Sequence, residues 1–364
     1  MAHYYVDPVS GSDTTGDGLS DSTAWQSLQH ALDTIAKGTY GDQINLKSSG
    51  ANVLTANLST TTYAPGTSAS GAGLDHLAIR GYGSTANDGA QGIIDGNDLY
   101  RIDTLSDTSL IDLEIKKGKA GTDAIAALTN TSRLINCYVH SCNGNIIGYT
   151  HGKSAIVGCR FENISGTVSR SLSSGMYNCY FSNGVDYAFT DALKTGSTST
   201  VSHCIFNLSG GSNGVVILSN GSVITNCTFY GYGGSGTAFD TGTGNKARGT
   251  VFTENIVSAF TTGTGVDNQS DYGLVLRNNT FHDCGTDVSD PSAGTDGYSD
   301  RSGNETVATS PLALTGSANY ANRFVHFAPQ DVGSVLSVGV ARGAAPALAS
   351  SSSPSLTKHP LGRF

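Results

Sequence analysis

Charge is scarce in this chain: Asp, Glu, Lys and Arg make up 13% of its 364 residues and sum to a formal net charge of -9. No Lys/Arg cluster stands out, and a basic face is what phosphate backbones require, so neither nucleic acid nor an anionic membrane surface is an expected partner. No apolar run approaches the roughly 20 residues that cross a bilayer, so membrane insertion is not expected either. The opening MAHYYVDP lacks a basic region followed by an apolar stretch, so no signal peptide is legible. The expected location is therefore a virus particle or the extracellular space, reached after signal removal or by release on lysis. HExxH, CxxC, nucleophile-elbow and Walker patterns are all missing, and with them the metal, redox and nucleotide chemistry that those motifs carry. Seven Cys is an odd number for a disulfide framework.

What is abundant points one way. With 47 Gly, 8 Pro and many Ser, Thr and Asn, the composition favours turns and strands over helices. Apolar residues recur too regularly for disorder. A short motif repeats along the chain: hydroxyl, any, apolar, any, Asn-like, Cys-like, any, Phe-like. Its clearest copies are SRLINCYV from Ser132, SAIVGCRF from Ser154, SGMYNCYF from Ser174, STVSHCIF from Ser199 and SVITNCTF from Ser222. Weaker copies are AGLDHLAI from Ala72, TSLIDLEI from Thr108, TVFTENIV from Thr250 and LVLRNNTF from Leu274. From Leu113 through Cys137, Cys159, Cys179, Cys204, Cys227 and Asn255 to Asn279 the steps are 24, 22, 20, 25, 23, 28 and 24 residues. A coil of three short strands has about that length. A β-propeller needs longer units, and a leucine-rich repeat needs Leu columns with helical returns.

Within the motif, Ser154 and Ile156 alternate inward, as do Cys159 and Phe161, and the phase break between the two pairs requires a bend. The bend column reads His76, Asp112, Asn136, Gly158, Asn178, His203, Asn226, Glu254 and Asn278. All but Glu254 are types that tolerate the left-handed conformation. Stacked about 4.8 Å apart, equivalent residues become ladders. The Phe-like ladder runs Ile79, Ile115, Val139, Phe161, Phe181, Phe206, Phe229, Val257 and Phe281 and is expected to stack inside the tube. The Cys ladder is expected to be a row of buried, reduced thiols, because side chains pointing the same way from parallel strands bridge poorly. These corners resemble the Asn-ladder corner of the pectate-lyase-like β-helix superfamily. The resemblance implies an all-β fold, a right-handed parallel β-helix solenoid.

Such a solenoid needs capped ends. Trp25, Leu28, Leu32 and Ile35 repeat at helical spacing, with Ser22 or Thr23 as candidate N-cap and Gly38 as the stop, which predicts an N-terminal capping helix. The stretches YYVDPVSGSD and AWQSLQHALDTIAKGTYGDQINL resemble the opening region of many bacterial and phage β-helix proteins. The expected organisation is a cap over 1–40, the parallel β-helix over 41–288, a C-terminal cap region over 289–334, and an extended Gly/Ala/Ser-rich assembly tail over 335–364.

In β-helix enzymes the chemistry sits on outer strand faces. One outward row reads Glu114, Tyr138, Arg160, Tyr180; beside it lie Lys116, His140, Glu162, Ser182. Tyr138, Arg160, Tyr180 and Lys116 would suit an acidic sugar, with His140 and Glu162 as proton carriers. The same rows also read as a solvated face with cross-coil charge pairing. GTAFDTG and GTGVDNQ would stack Asp240 on Asp267, a pair that could bind Ca²⁺ or divide acid and nucleophile roles; turn formation is the plainer reading. Asp7, Asp13, Asp17 and Asp21 have the ligands of a Ca²⁺ loop without its spacing, and Asx turns explain them as well. No cofactor beyond Ca²⁺ is suggested.

Three functions remain open. The first is a virion-associated structural or receptor-binding protein, such as a tailspike, fibre or head-decoration subunit, non-catalytic or weakly catalytic. Its tail would be held against sister chains in a homo-oligomer, most simply a trimer, or in a larger virion assembly, with carbohydrate as a ligand. The second is a polysaccharide lyase or glycoside hydrolase acting on an outer face, and the third is a surface adhesin.

Overall fold

The computed structural model describes residues 2–35, 41–59, 76–182, 191–195, 199–208, 213–217, 221–231, 234–241, 248–269, 273–289, 298–308, 312–314 and 327–329. Parallel sheets of 12, 11 and 9 strands run the length of the molecule, and each strand pairs with the equivalent strand one coil away. In one coil, Ala155–Val157 lies in the first sheet, Arg160–Ile164 in the second and Ser169–Leu172 in the third. This is the expected parallel β-helix.

Three apolar ladders, one per sheet, meet in the interior. The first sheet contributes Ile44, Ile79, Leu110, Leu134, Ile156, Met176, Val201, Ile224, Phe252 and Leu276, all fully buried. The second contributes the Phe ladder, in which Phe181 stacks on Phe161 and Phe206 with ring centroids 5.3 and 4.4 Å apart. In the third, Leu193, Val215, Phe239 and Val266 stand in register. The register Tyr138↔Arg160↔Tyr180↔Ile205↔Thr228 carries the residue before each, so Cys137, Cys159, Cys179, Cys204 and Cys227 form one buried column. All seven cysteines are free thiols. Burial pushes the thiols of Cys137, Cys159, Cys179 and Cys204 well above their ordinary range.

The bend column adopts the left-handed conformation from Asp112 to Asn278, with φ between 52° and 65°, and Glu254 joins it at 58°. Two further left-handed columns mark the other corners. Lys117, Ser141, Asn163, Ala259 and Asp283 turn the second sheet toward the third, and Asp107, Asn130 and Gly152 turn the third back to the first. The hydrogen-bonded Asn ladder is not in the bend column but one residue beyond it, inside. Asn279 Oδ1 accepts from Asn255 N and Nδ2 at 3.0 and 3.1 Å, and Asn279 Nδ2 donates to Asn304 Oδ1 at 2.9 Å.

Two sequence expectations are corrected. Leu77–Tyr82 is a single six-residue strand of the first sheet, where Ile79 faces Leu110. The partner of Ile115 in the second sheet is Ile94, and Gly81 rather than His76 precedes the turn. The bulk of the 83–91 connection shifts the phase that AGLDHLAI imitates. The capping helix spans only Leu28–Thr34; Ser27 is its N-cap and accepts from His30 N at 3.2 Å. Trp25 stands outside the helix, bridged to Val6 and stacked on Tyr4 at 5.6 Å. Gly38 and the whole of 335–364 lie outside the described residues. His3–Val6 is already a strand of the first sheet, and Tyr298–Asp300 continues that sheet past 288.

Candidate functional site

The outer face of the second sheet assembles the predicted rows in register: Tyr138 lies between Glu114 and Arg160, and His140 between Lys116 and Glu162. Side chains two residues apart on neighbouring coils therefore share one patch. The Tyr138 and His140 rings stack at 4.3 Å with 20° between planes. The Arg160 guanidinium lies over the Tyr138 ring, 4.9 Å from its centroid, and pairs with Glu162 Oε1 at 2.8 Å. Tyr138 donates its hydroxyl proton to Glu162 Oε2 at 3.0 Å. Burial, then the Glu162 carboxylate, pushes the phenol up to about 12, so it stays protonated at neutral pH.

Glu114 organises the other half. Its Oε1 stands 3.0 Å from Lys116 Nζ and 3.2 Å from His140 Nε2. Burial would raise this carboxyl, but the bonds from Lys116 and His140 outweigh it and hold it below its ordinary range. An ionised carboxylate at that distance accepts from His140 Nε2, so in the neutral imidazole the lone pair is on Nδ1, where the Ser141 hydroxyl donates to it at 2.9 Å. Glu114 was legible only as a member of the outward row; the structure makes it the partner that fixes the imidazole. Asp95, one coil earlier in the Lys116 row, extends the alternation of charge.

Tyr180 follows Arg160 in register but is fully buried, and its hydroxyl accepts from Asn207 Nδ2 at 3.3 Å. Asp240 and Asp267 stand directly opposite each other on the third sheet, where Gln269 Nε2 donates to Asp267 Oδ2 at 2.7 Å. They thus belong to a different face from His140 and Glu162. Among the described residues no group of three or more His, Cys, Asp or Glu side chains is placed to hold a metal ion. The N-terminal acidic cluster is spent on turns and pairing. Asp7 accepts from Val9 N and Ser10 N and pairs with Lys47 at 3.1 Å; Asp13 caps Gln26 and Ser27; Asp17 accepts from Leu19 N; Asp21 pairs with Lys47 at 2.8 Å. Among the described residues no helix is long and apolar enough to cross a membrane.

No protein-family model matches the chain, and no curated protein matches it in sequence. Solved structures do. A rhamnogalacturonan lyase shares 13% identity over 94% of this chain and 100% of its own, with a TM-score of 0.56. A lacto-N-biosidase of glycoside hydrolase family 136 from Eubacterium ramulus shares 14% identity over 84% of this chain and 68% of its own, with a TM-score of 0.53. A pectate lyase at 13% identity has a TM-score of 0.38. At such identities the likeness to the first two establishes the parallel β-helix fold alone, and the chemistry rests on the residues.

Proposed function

We propose that the chain is a carbohydrate-acting β-helix protein, a lyase that cleaves an acidic polysaccharide on the outer face of the second sheet. The observation that carries this reading is the Glu114–His140 pair, 3.2 Å apart, stacked against the protonated phenol of Tyr138. β-Elimination from a uronate needs a base for the proton on C5, a cation for the adjacent carboxylate and an acid for the leaving oxygen on C4. His140 Nδ1 takes the C5 proton, the C4–O bond breaks as the C4=C5 double bond forms, and the Tyr138 hydroxyl protonates the departing oxygen. Solvent then returns a proton to Tyr138 and removes one from His140. Lys116 balances the substrate carboxylate, while Arg160 holds Tyr138 and Glu162 in place.

A hydrolase built on Glu114 and Glu162 is supported less well. Its general acid needs a raised pKa, and Glu114 is shifted the other way. The rhamnogalacturonan lyase and the lacto-N-biosidase, each with a TM-score above 0.5, carry names of enzymes that act on glycans, which favours a carbohydrate reading over a particle subunit. The tail on which the virion reading leans lies outside the described residues.

The test is a panel of uronate-containing and neutral polysaccharides, with the ultraviolet absorbance of the unsaturated product as readout. Cleavage of a uronate polymer that is abolished in Tyr138→Phe and His140→Asn, with substrate binding retained, is expected. Saturated products would instead indicate hydrolysis, and no cleavage of any acidic glycan would reject the enzyme reading.

A further inference from the structure

Around the bend from the candidate site, the outer face of the first sheet carries an apolar row that the proposed chemistry does not use. Ile111, Ile135, Val157 and Tyr177 stand in register on four successive coils, each partly or well exposed. Beside them run Arg133, Ala155 and Gly175. Tyr177 is 36% exposed. A Cβ built on Gly175 would stand 2.6 Å from Tyr177 Cζ, so the ring lies back along its own strand over the bare glycine backbone. The ring rests there and stays partly exposed. A ring already lying against the sheet has less conformational freedom to lose when something stacks on it.

The rim of the row is polar. Asn136 and Asn178, both exposed and left-handed, flank Ile135 and Tyr177, and the exposed Arg133 stands on the other side. The apolar floor thus repeats every coil, about 4.8 Å apart, and its rim is polar at Asp112, Asn136 and Asn178 but not at Gly158. That pattern suits a polymer with apolar faces and hydrogen-bonding edges. A pyranose ring presents its C–H groups on a face and its hydroxyls around the perimeter. The strip is also continuous with the candidate site: the coils that place Tyr138 and Arg160 on the second sheet place Ile135 and Val157 on the first, one left-handed corner away.

We propose that Ile111, Ile135, Val157 and Tyr177 form a glycan-binding track, with Tyr177 as its stacking platform, that holds a length of polysaccharide beside the site on the second sheet. The occupant is an extended glycan chain lying along the solenoid axis by the C–H faces of its pyranose rings. The assignment rests on the carbohydrate reading but not on the elimination chemistry.

The test is equilibrium binding of polygalacturonate, a β-1,4-glucan and a galactan to the full chain, measured by titration calorimetry, together with KM and kcat on any polymer cleaved. Tyr177→Ala should weaken binding about tenfold, and Tyr177→Trp should retain it. Gly175→Ala, which displaces the ring without changing its chemistry, should resemble Tyr177→Ala, and its circular dichroism should match wild type. On a cleaved polymer, Tyr177→Ala should raise KM and leave kcat unchanged. Unchanged affinity for every glycan in Tyr177→Ala overturns the track even if Tyr138-dependent cleavage stands. Binding lost with Tyr177 in a protein that cleaves nothing keeps the track and rejects the lyase. A wild-type protein that binds none of the three glycans overturns the track.

Discussion

Replacing Asn279 by Leu removes one rung of the internal Asn ladder while keeping the side chain close in size. Asn279 is fully buried and its amide is saturated: Oδ1 accepts from Asn255 N and Nδ2, and Nδ2 donates to Phe252 O and Asn304 Oδ1 at 3.0 and 2.9 Å. Asn255 Nδ2 keeps its bond to Ile224 O, and Asn304 Oδ1 still accepts from Asn279 N, so those groups stay paired after the change. Asn255 N does not, and an orphaned buried N–H costs about 1 to 3 kcal/mol. The other three lost bonds add about 1 kcal/mol each, and the new apolar burial returns about 1 to 2. The net loss is about 3 kcal/mol.

A solenoid is held mostly by contacts between neighbouring coils, so the damage should be local. Hydrogen exchange followed by mass spectrometry should show faster exchange from about Asn255 to Asn304 and none near Leu110, together with an earlier urea transition. Asn278→Ala, one residue away at φ 53°, loses only left-handed tolerance, worth about 1 kcal/mol. Equal or reversed costs for the two substitutions, or unchanged exchange at Asn255, would refute the placement of the ladder.

Three other outcomes follow from the fold. Phe181→Ala empties a position stacked on both sides and should cost about 3 to 5 kcal/mol; an unshifted denaturation midpoint would put that column in solvent. Iodoacetamide should leave Cys137, Cys159, Cys179, Cys204 and Cys227 unmodified in the native protein and label all of them after denaturation without reductant; any bridge found by mass spectrometry contradicts the column. Asp7 is held at about 2: burial opposes ionisation, but the bonds from Ser49, Ser10, Val9 and Lys47 prevail. Its folded value is below the ordinary 3.8, so its contribution is present above that value and fades as pH falls from about 4 to about 2, about 2 kcal/mol in all. Asp7→Asn should be less stable at neutral pH and show a flatter acid limb; an acid limb identical to wild type would show that Asp7 is not the group titrating.

The central coils were legible because like residues recur where coils repeat the same environment. Cys137 to Cys227 and Phe161 to Phe229 each hold one ladder, so counting in steps of 20 to 25 residues lands on true neighbours. The same counting failed at Ala72 because an inward Ile reads alike in any sheet, and only the length of the connection says which sheet it occupies. The corner from the second sheet to the third was missed for another reason. At Lys117, Ser141 and Ala259 the φ values are 48°, 54° and 61°, in residues with no special taste for that region. Pairing on both sides fixes the strands before and after, and the corner residue accepts the strain.

For the site, register alone could bring Tyr138, His140, Arg160 and Glu162 together, but it could not say how their charges divide. The structure answers with two closed pairs: Arg160 is matched by Glu162 at 2.8 Å within its own coil, and Lys116 by Glu114 at 3.0 Å. The cations are therefore not idle, and an acidic sugar must compete for one of them. Glu162 is the more buried carboxylate, so opening the Arg160 pair would strand a buried charge. Opening the Lys116 pair strands nothing, because Glu114 keeps its bond from His140 and gains basicity for the imidazole as Lys116 turns to the substrate. The cheaper exchange is also the productive one, which is why Lys116 rather than Arg160 is the residue assigned to the substrate carboxylate.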